Sequence, residues 1–168
     1  QINQTSLTVF TIQGLTASGD GTIIPSITAG SVQFASSGLF NNVSTSGDNT
    51  ITYDGNSPSV TIAKSTAQEA SVGQDQTVSF TVTFSEALLA DIVAGNITQS
   101  GGATLGGANW IIAAEPVANT VYTVTTDTIT STGTIIPTIA GSVVTDPTGN
   151  PNSASSGTSH TVTVVSTL

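Results

Sequence analysis

The chain has 168 residues, enough for one domain of ordinary size, and its 37% apolar and 7% charged content is too apolar for a disordered polypeptide. Its formal net charge of −9 comes from ten carboxylates against one cation, Lys64, and such a surface repels phosphate backbones and anionic headgroups, so neither nucleic acid nor a membrane surface is an expected partner. The absence of cysteine excludes disulfides, thiol nucleophiles and cysteine-rich metal clusters, and the apolar runs are too short for membrane insertion as a spanning helix.

In chain order, short β-branched segments predict strands at LTVFTI (7–12), GTIIPSI (21–27), NTITYD (49–54) and PSVTI (58–62), each bounded by Gly, Asn, Asp or Ser. TVSFTVTFS (77–85) gives the clearest signal: Val78, Phe80, Val82 and Phe84 alternate with Thr and Ser, the period of a half-buried strand. SEALLADIVAG (85–95) has apolar spacing for a helical turn or two, ended by Gly95. Further strands are expected at NWIIAA (109–114), TVYTVT (120–125), GTIIPTI (133–139) and HTVTVV (160–165). The expected fold class is therefore all-β, arranged as a sandwich.

The list contains the same passage twice. TVFTI at Thr8 matches TVYTV at Thr120, and GTIIP at Gly21 matches GTIIP at Gly133, both at an offset of 112. After Thr28 the strings place one extra residue, so that AGSV at Ala29 meets AGSV at Ala140 at an offset of 111. Extended in both directions, the offsets set Ser57 opposite Leu168 and Gln1 opposite Ala113. The expected organisation is a complete domain at 58–168, preceded at 1–57 by the second half of another. A half domain exposes an apolar face and open strand edges. Leu7, Val9, Phe10, Ile12, Ile23, Ile24 and Ile27 are the candidate assembly surface. The missing half has three candidate sources: upstream repeats of a longer array, a neighbouring copy adding strands head to tail, or adaptation into a smaller closed sheet.

VTFSEAL, IVAGNIT with GGATLGG, TVYTVT, and VVTDPTGNPNSASS leading into HTVTV together resemble the bacterial Ig-like repeats found in tandem in large surface proteins and adhesins. NTITYDGNSPSVTI resembles the linker between two such repeats. The resemblance spans the whole chain and implies a seven-stranded Ig-like β-sandwich acting as a spacer, stalk or fibre module. In related arrays, acidic residues near domain junctions hold Ca2+, which makes Asp54, Glu86 and Asp146 candidate oxygen ligands. Tight turns built by Asp and Asn with Gly and Pro account for the same residues without a metal, and no other cofactor is expected. DPTGN at 146–150 is replaced in the first copy by ASSGL at 35–39, so the first copy lacks the aspartate.

Other chemistry is sparse. His160 stands opposite Asn49 in the first copy and is expected at the surface; without an oriented histidine or a nucleophile elbow, no enzyme is expected. Lys64 has no asparagine in HTVTVV to form a cross-link with. Trp110 is expected in the core rather than on a sugar-binding face. Asn3, Asn42 and Asn96 open glycosylation sequons, at about the number that so much Ser and Thr produces by chance.

The composition, rich in Thr, Ser, Gly, Asn and Val, is common in secreted microbial surface proteins, so an extracellular, cell-surface location is expected. The expected function is structural: a subunit or segment of a fibre or stalk, joined head to tail to itself or to adjacent repeats of the same chain through strand complementation of the half domain. An adhesive or carbohydrate-binding module is the alternative. It would concentrate aromatic and charged residues at one end, whereas these loops are Gly, Ser, Thr and Asn.

Overall fold

The computed structural model describes residues 1–6, 8–107, 110–114, 119–157 and 159–166. Leu7 lies outside the described residues. The fold is all-β, and the chain divides into two compact units, Gln1–Asn56 and Ser57–Leu168.

The second unit is built on a four-stranded antiparallel sheet. To number the strands from the start of the chain, the first unit holds β1 (Ile2–Gln4), β2 (Phe10–Ile12), β3 (Gly21–Ile23) and β4 (Ile51–Tyr53). The second holds β5 (Val60–Lys64), β6 (Ser71–Gly73), β7 (Ser79–Phe84), β8 (Ile97–Gln99), β9 (Trp110–Ala114), β10 (Val121–Thr126), β11 (Gly133–Ile135), β12 (Pro137–Ile139) and β13 (Val162–Val165). The large sheet runs β5-β7-β10-β9. The order β11-β13-β6 forms a second sheet, in which β6 and β13 are parallel, and β12 pairs with β8.

Alternation explains the core. Phe80, Val82 and Phe84 of β7 and Tyr122 and Val124 of β10 are buried, and join Ile135, Ile139, Val162 and Val164 from the other strands in one apolar cluster. Trp110 is buried there too, 6.2 Å from Phe80 in an edge-to-face contact. Its indole N–H has no hydrogen-bond partner.

Three local expectations are corrected. Residues 85–93 form no helix, and only a single 3-10 turn, Ala94–Asn96, overlaps the end of the segment. The amides of Leu88 and Leu89 donate instead to the carbonyls of Asn119 (3.0 Å) and Thr145 (2.9 Å), so the backbone is satisfied by neighbouring loops while Leu88 and Ile92 still reach the core. GTIIPTI is broken at Ile136 into β11 and β12, which pair with different strands; Pro137, lacking an N–H, takes the first position of β12. His160 is half-buried rather than at the surface, and its Nδ1 is buried without a partner.

Within the first unit, β1 pairs with β2 and β3 with β4. The β3-β4 ladder sets Gly21, Thr22 and Ile23 opposite Tyr53, Thr52 and Ile51, and their counterparts Gly133, Thr134 and Ile135 meet Val164, Thr163 and Val162 in the same way. A second conserved device is an asparagine knot. Asn41 accepts the Val32 N–H at 2.8 Å and donates to the carbonyls of Thr28 and Asn42. Asn152 accepts the Val143 and Val144 N–H groups and donates to the carbonyls of Ala140 and Ser153.

These bonds correct the position of the gap in the repeat. Thr28 acts as Ala140 does and Val32 as Val144, so the offset of 112 continues past the AGSV match. The bridge Gln33 to Phe40 corresponds to Thr145 to Pro151, and the Phe34 amide donates to the Leu39 carbonyl as that of Asp146 does to Asn150. The extra residue therefore sits in the turn after Phe34, and Phe34 rather than Ala35 stands where Asp146 does. The hairpin at the start is corrected as well. Ile2 faces Ile12 as Ile112 faces Val124, so the first loop is two residues shorter and Gln1 stands opposite Ile111 rather than Ala113.

Asn152 is buried, and Asn152→Ala orphans two amides and two carbonyls; we expect a loss of about 2–3 kcal/mol in chemical denaturation of the second unit. Asn41→Ala, at a position partly open to water, is expected to cost less.

Candidate assembly surface

The first unit has the strands of a sandwich half but not its interior. Among its described residues none is buried. Position by position the two copies diverge in exposure while agreeing in hydrogen bonding: Phe10 is 57% exposed and Tyr122 0%, Ile27 51% and Ile139 1%, Ile51 55% and Val162 0%. Ile12 and Tyr53 are also exposed, where Val124 and Val164 are buried, and Ile23 is half-buried, where Ile135 is fully so. A groove of about 480 Å3 opens among Ile2, Phe10, Ile12, Ile27 and Val32.

Period-two geometry sorts the expected surface residues. Phe10, Ile12, Ile23 and Ile27 correspond to inward side chains of the second unit. Val9 and Ile24 are exposed, but their counterparts Val121 and Ile136 are only half-buried, since neighbours along a strand point to opposite faces. Ile51 and Tyr53 complete the inward set and were missed by the sequence reading. The alternation in TITY (50–53) against TVTV (161–164) carried the signal.

No family model matches the chain, and no curated protein or solved structure matches it either. The internal repeat is thus the reference against which the open surface is read.

The open edges can be named from the closed copy. In the second unit β10 pairs with β7, β13 with β6, and β12 with β8. Among the described residues, the corresponding stretches of the first unit, Phe10–Ile12, Ile51–Tyr53 and residues 25–27, pair with β1, with β3 and with no strand, respectively. All three absent ladders come from one segment of the repeat, the part before β9.

The acidic candidates fall in different places. Glu86 and Asp146 belong to the second unit and bring carboxylate oxygens within 4.8 Å of one another, an all-oxygen donor pair of the type hard cations take. Asp54 belongs to the first unit, where it accepts the Asn56 N–H at 3.1 Å. Nearby, Asp20 accepts from the Gly55 amide at 3.0 Å and from the Asn56 side chain. Asp146 is fully buried. Burial alone would raise its carboxyl, but donors from Asn150 and Thr148, side chain and backbone, outweigh it and hold the group at about 2. The turn is closed by its own hydrogen bonds.

The sign of the pH dependence follows. A carboxyl lowered on folding stabilises the folded state above its unfolded value near 4 and loses that contribution as pH falls toward about 2. Acid titration of the second unit, followed by Trp110 fluorescence, is expected to show this loss, and Asp146→Asn to flatten it. Tyr122 moves the other way: burial, then its hydrogen bond to Asp91 at 3.1 Å, push the phenol up to about 12.

Of the sequon asparagines, Asn42 is exposed, Asn3 donates to Gln13 at 3.0 Å, and Asn96 accepts the Val93 N–H at 2.8 Å. Lys64 ends β5, half-buried.

Proposed function

We propose that this protein is a non-catalytic structural module of an extracellular cell-surface fibre or stalk, made of Ig-like repeats of the bacterial tandem type, in which the first unit is the joint. The joint is completed by strands added from an adjacent repeat or a neighbouring copy, so the ladder that folds the unit also links successive modules. The observation that carries this reading is the contrast between two copies with one hydrogen-bond pattern, one closed over its apolar side chains and the other open.

The parallel pair β6-β13 supports a load-bearing role. Force applied at the two ends of the second unit draws β6 toward its start and β13 toward its end, and because the strands are parallel the ladder Ser71–Gly73 to Thr163–Val165 is loaded in shear. Its bonds then resist together instead of opening one at a time.

Single-molecule pulling on the full chain tests both parts. One cooperative rip releasing on the order of 35 nm, from about 3.4 Å per residue, is expected from the second unit, with residues 1–56 extending without a rip. Two rips would show a first unit that closes by itself and end the joint reading; gradual extension of the second unit would end the load-bearing one. Thr163→Pro, which removes the N–H donated to the Ala70 carbonyl at 3.0 Å, is expected to lower the rip force.

A further inference from the structure

From the three ladders that the first unit lacks, we infer that its partner is a polypeptide bearing the first half of the same repeat, the pattern of residues 57–110, and not a second copy of this chain. The inference rests on the proposed role of the first unit as a joint and names what fills it.

In the closed unit one continuous segment supplies every covering strand. β7 lies antiparallel to β10, with Val82 opposite Tyr122 and Phe80 opposite Val124. β6 runs parallel to β13, with Val72 opposite Val164. β8 lies antiparallel to β12, with Ile97 opposite Ile139. Transferred to the first unit, the partner's strands lie antiparallel along Phe10–Ile12, parallel along Ile51–Tyr53 and antiparallel along residues 25–27. Their inward Val, Ile and Phe side chains cover Phe10, Ile12, Ile23, Ile27, Ile51 and Tyr53. A single donated strand satisfies one of these edges and leaves the other two open.

A second copy of the chain has the right segment but has already used it. Its residues 57–110 cover its own β10, β11, β12 and β13. Lending them to the first unit of another copy of residues 1–168 uncovers as much apolar surface as it hides, because residues 1–168 hold two second halves and one first half. Exchange between copies is therefore without net gain, and the complement has to come from a polypeptide with a spare first half.

The test places a second copy of residues 57–110 directly ahead of Gln1 of the full chain, which reproduces the junction of Trp110 with Ile111 because Gln1 stands opposite Ile111. Amide hydrogen exchange at Phe10, Ile12, Ile23, Ile51 and Tyr53 is expected to slow by at least about 100-fold relative to the ungrafted chain. Binding of a naphthalene-sulfonate dye is expected to fall, and pulling to gain a second rip. Ile12→Glu in the grafted chain is expected to undo the protection of residues 1–56 while leaving amide exchange at Tyr122, Val124 and Val162 of the second unit unchanged. Unchanged exchange in the graft overturns the inference. So does protection of residues 1–56 in the ungrafted chain that rises with its concentration, since the occupant is then a second copy and the joint reading survives. Protection in the ungrafted chain at every dilution, with its own rip, overturns the joint reading itself.

Discussion

Ile139→Ala is expected to lower the unfolding free energy of the second unit by about 2–5 kcal/mol, while Ile27→Ala is expected to change the stability of the first unit by no more than about 0.5 kcal/mol. The two isoleucines are the same residue at the same point of the repeat, and both sit in the same serine clasp. Ile27 receives an N–H donated by Ser44 to its carbonyl at 2.9 Å, as Ile139 does from Ser155 at 2.8 Å, and each amide donates back to the serine Oγ. Only the surroundings of the side chain differ. Ile139 is enclosed by the cluster that includes Ile97 and Ile135, so truncation leaves a cavity as well as losing transfer energy. Ile27 is 51% exposed, and its truncation removes surface that water already covers. Urea denaturation followed by Trp110 fluorescence reports the second unit alone, since the chain has no other tryptophan; amide signals of residues 1–56 report the first. In the chain grafted with residues 57–110, Ile27→Ala should acquire the cost of Ile139→Ala. Equal costs in the ungrafted chain would mean that the first unit has an interior.

That pairing was readable before any coordinates because GTIIPSI and GTIIPTI are nearly the same string, and the strand class followed from β-branched alternation. The less legible features are those in which conformation departs from spelling. The strings align Gly30 with Gly141, yet the left-handed residue that follows the strand end is Gly30 in one copy (φ 76°) and Ser142 in the other (φ 63°). Glycine adopts that conformation freely, and in both copies the amide at this position donates to the asparagine carbonyl, Gly30 to Asn41 and Ser142 to Asn152, at 2.9 Å. Letter matching follows the glycine and backbone geometry follows φ, so the gap was placed several residues early.

Strands β6 and β8 were hidden for a different reason. SVG and ITQ are too short to show a period, and each exists because a distant strand, β13 or β12, offers a ladder. The same holds for the candidate surface. Phe10, Ile12, Ile23 and Ile27 are apolar in an apolar string, but that they lie on the inward face is shown only by their buried counterparts Tyr122, Val124, Ile135 and Ile139. Glu86 approaches Asp146 across loops far apart in sequence, which spacing alone does not show.

Residues 1–56 of the isolated chain should be cleaved by a nonspecific protease such as subtilisin at least about 1,000-fold faster than residues 57–166. Cleavage needs a segment to open, and at low protease its rate follows the population of the open form. A second unit of ordinary stability, about 5 kcal/mol or more, is open roughly once in several thousand molecules. The first unit has no buried residue among those described, and its two-stranded pairings are of a size that is marginal in water without a covered face. It therefore opens at little cost. Trypsin cannot serve, because the single cation of the chain is Lys64, outside this unit. In the proposed fibre the same digestion is expected to lose the difference: once added strands cover Phe10, Ile12 and Ile51, opening the joint requires breaking those ladders together, and the two units should then be cut at comparable rates. Persistent rapid loss of residues 1–56 from assembled material would mean that the fibre is joined elsewhere.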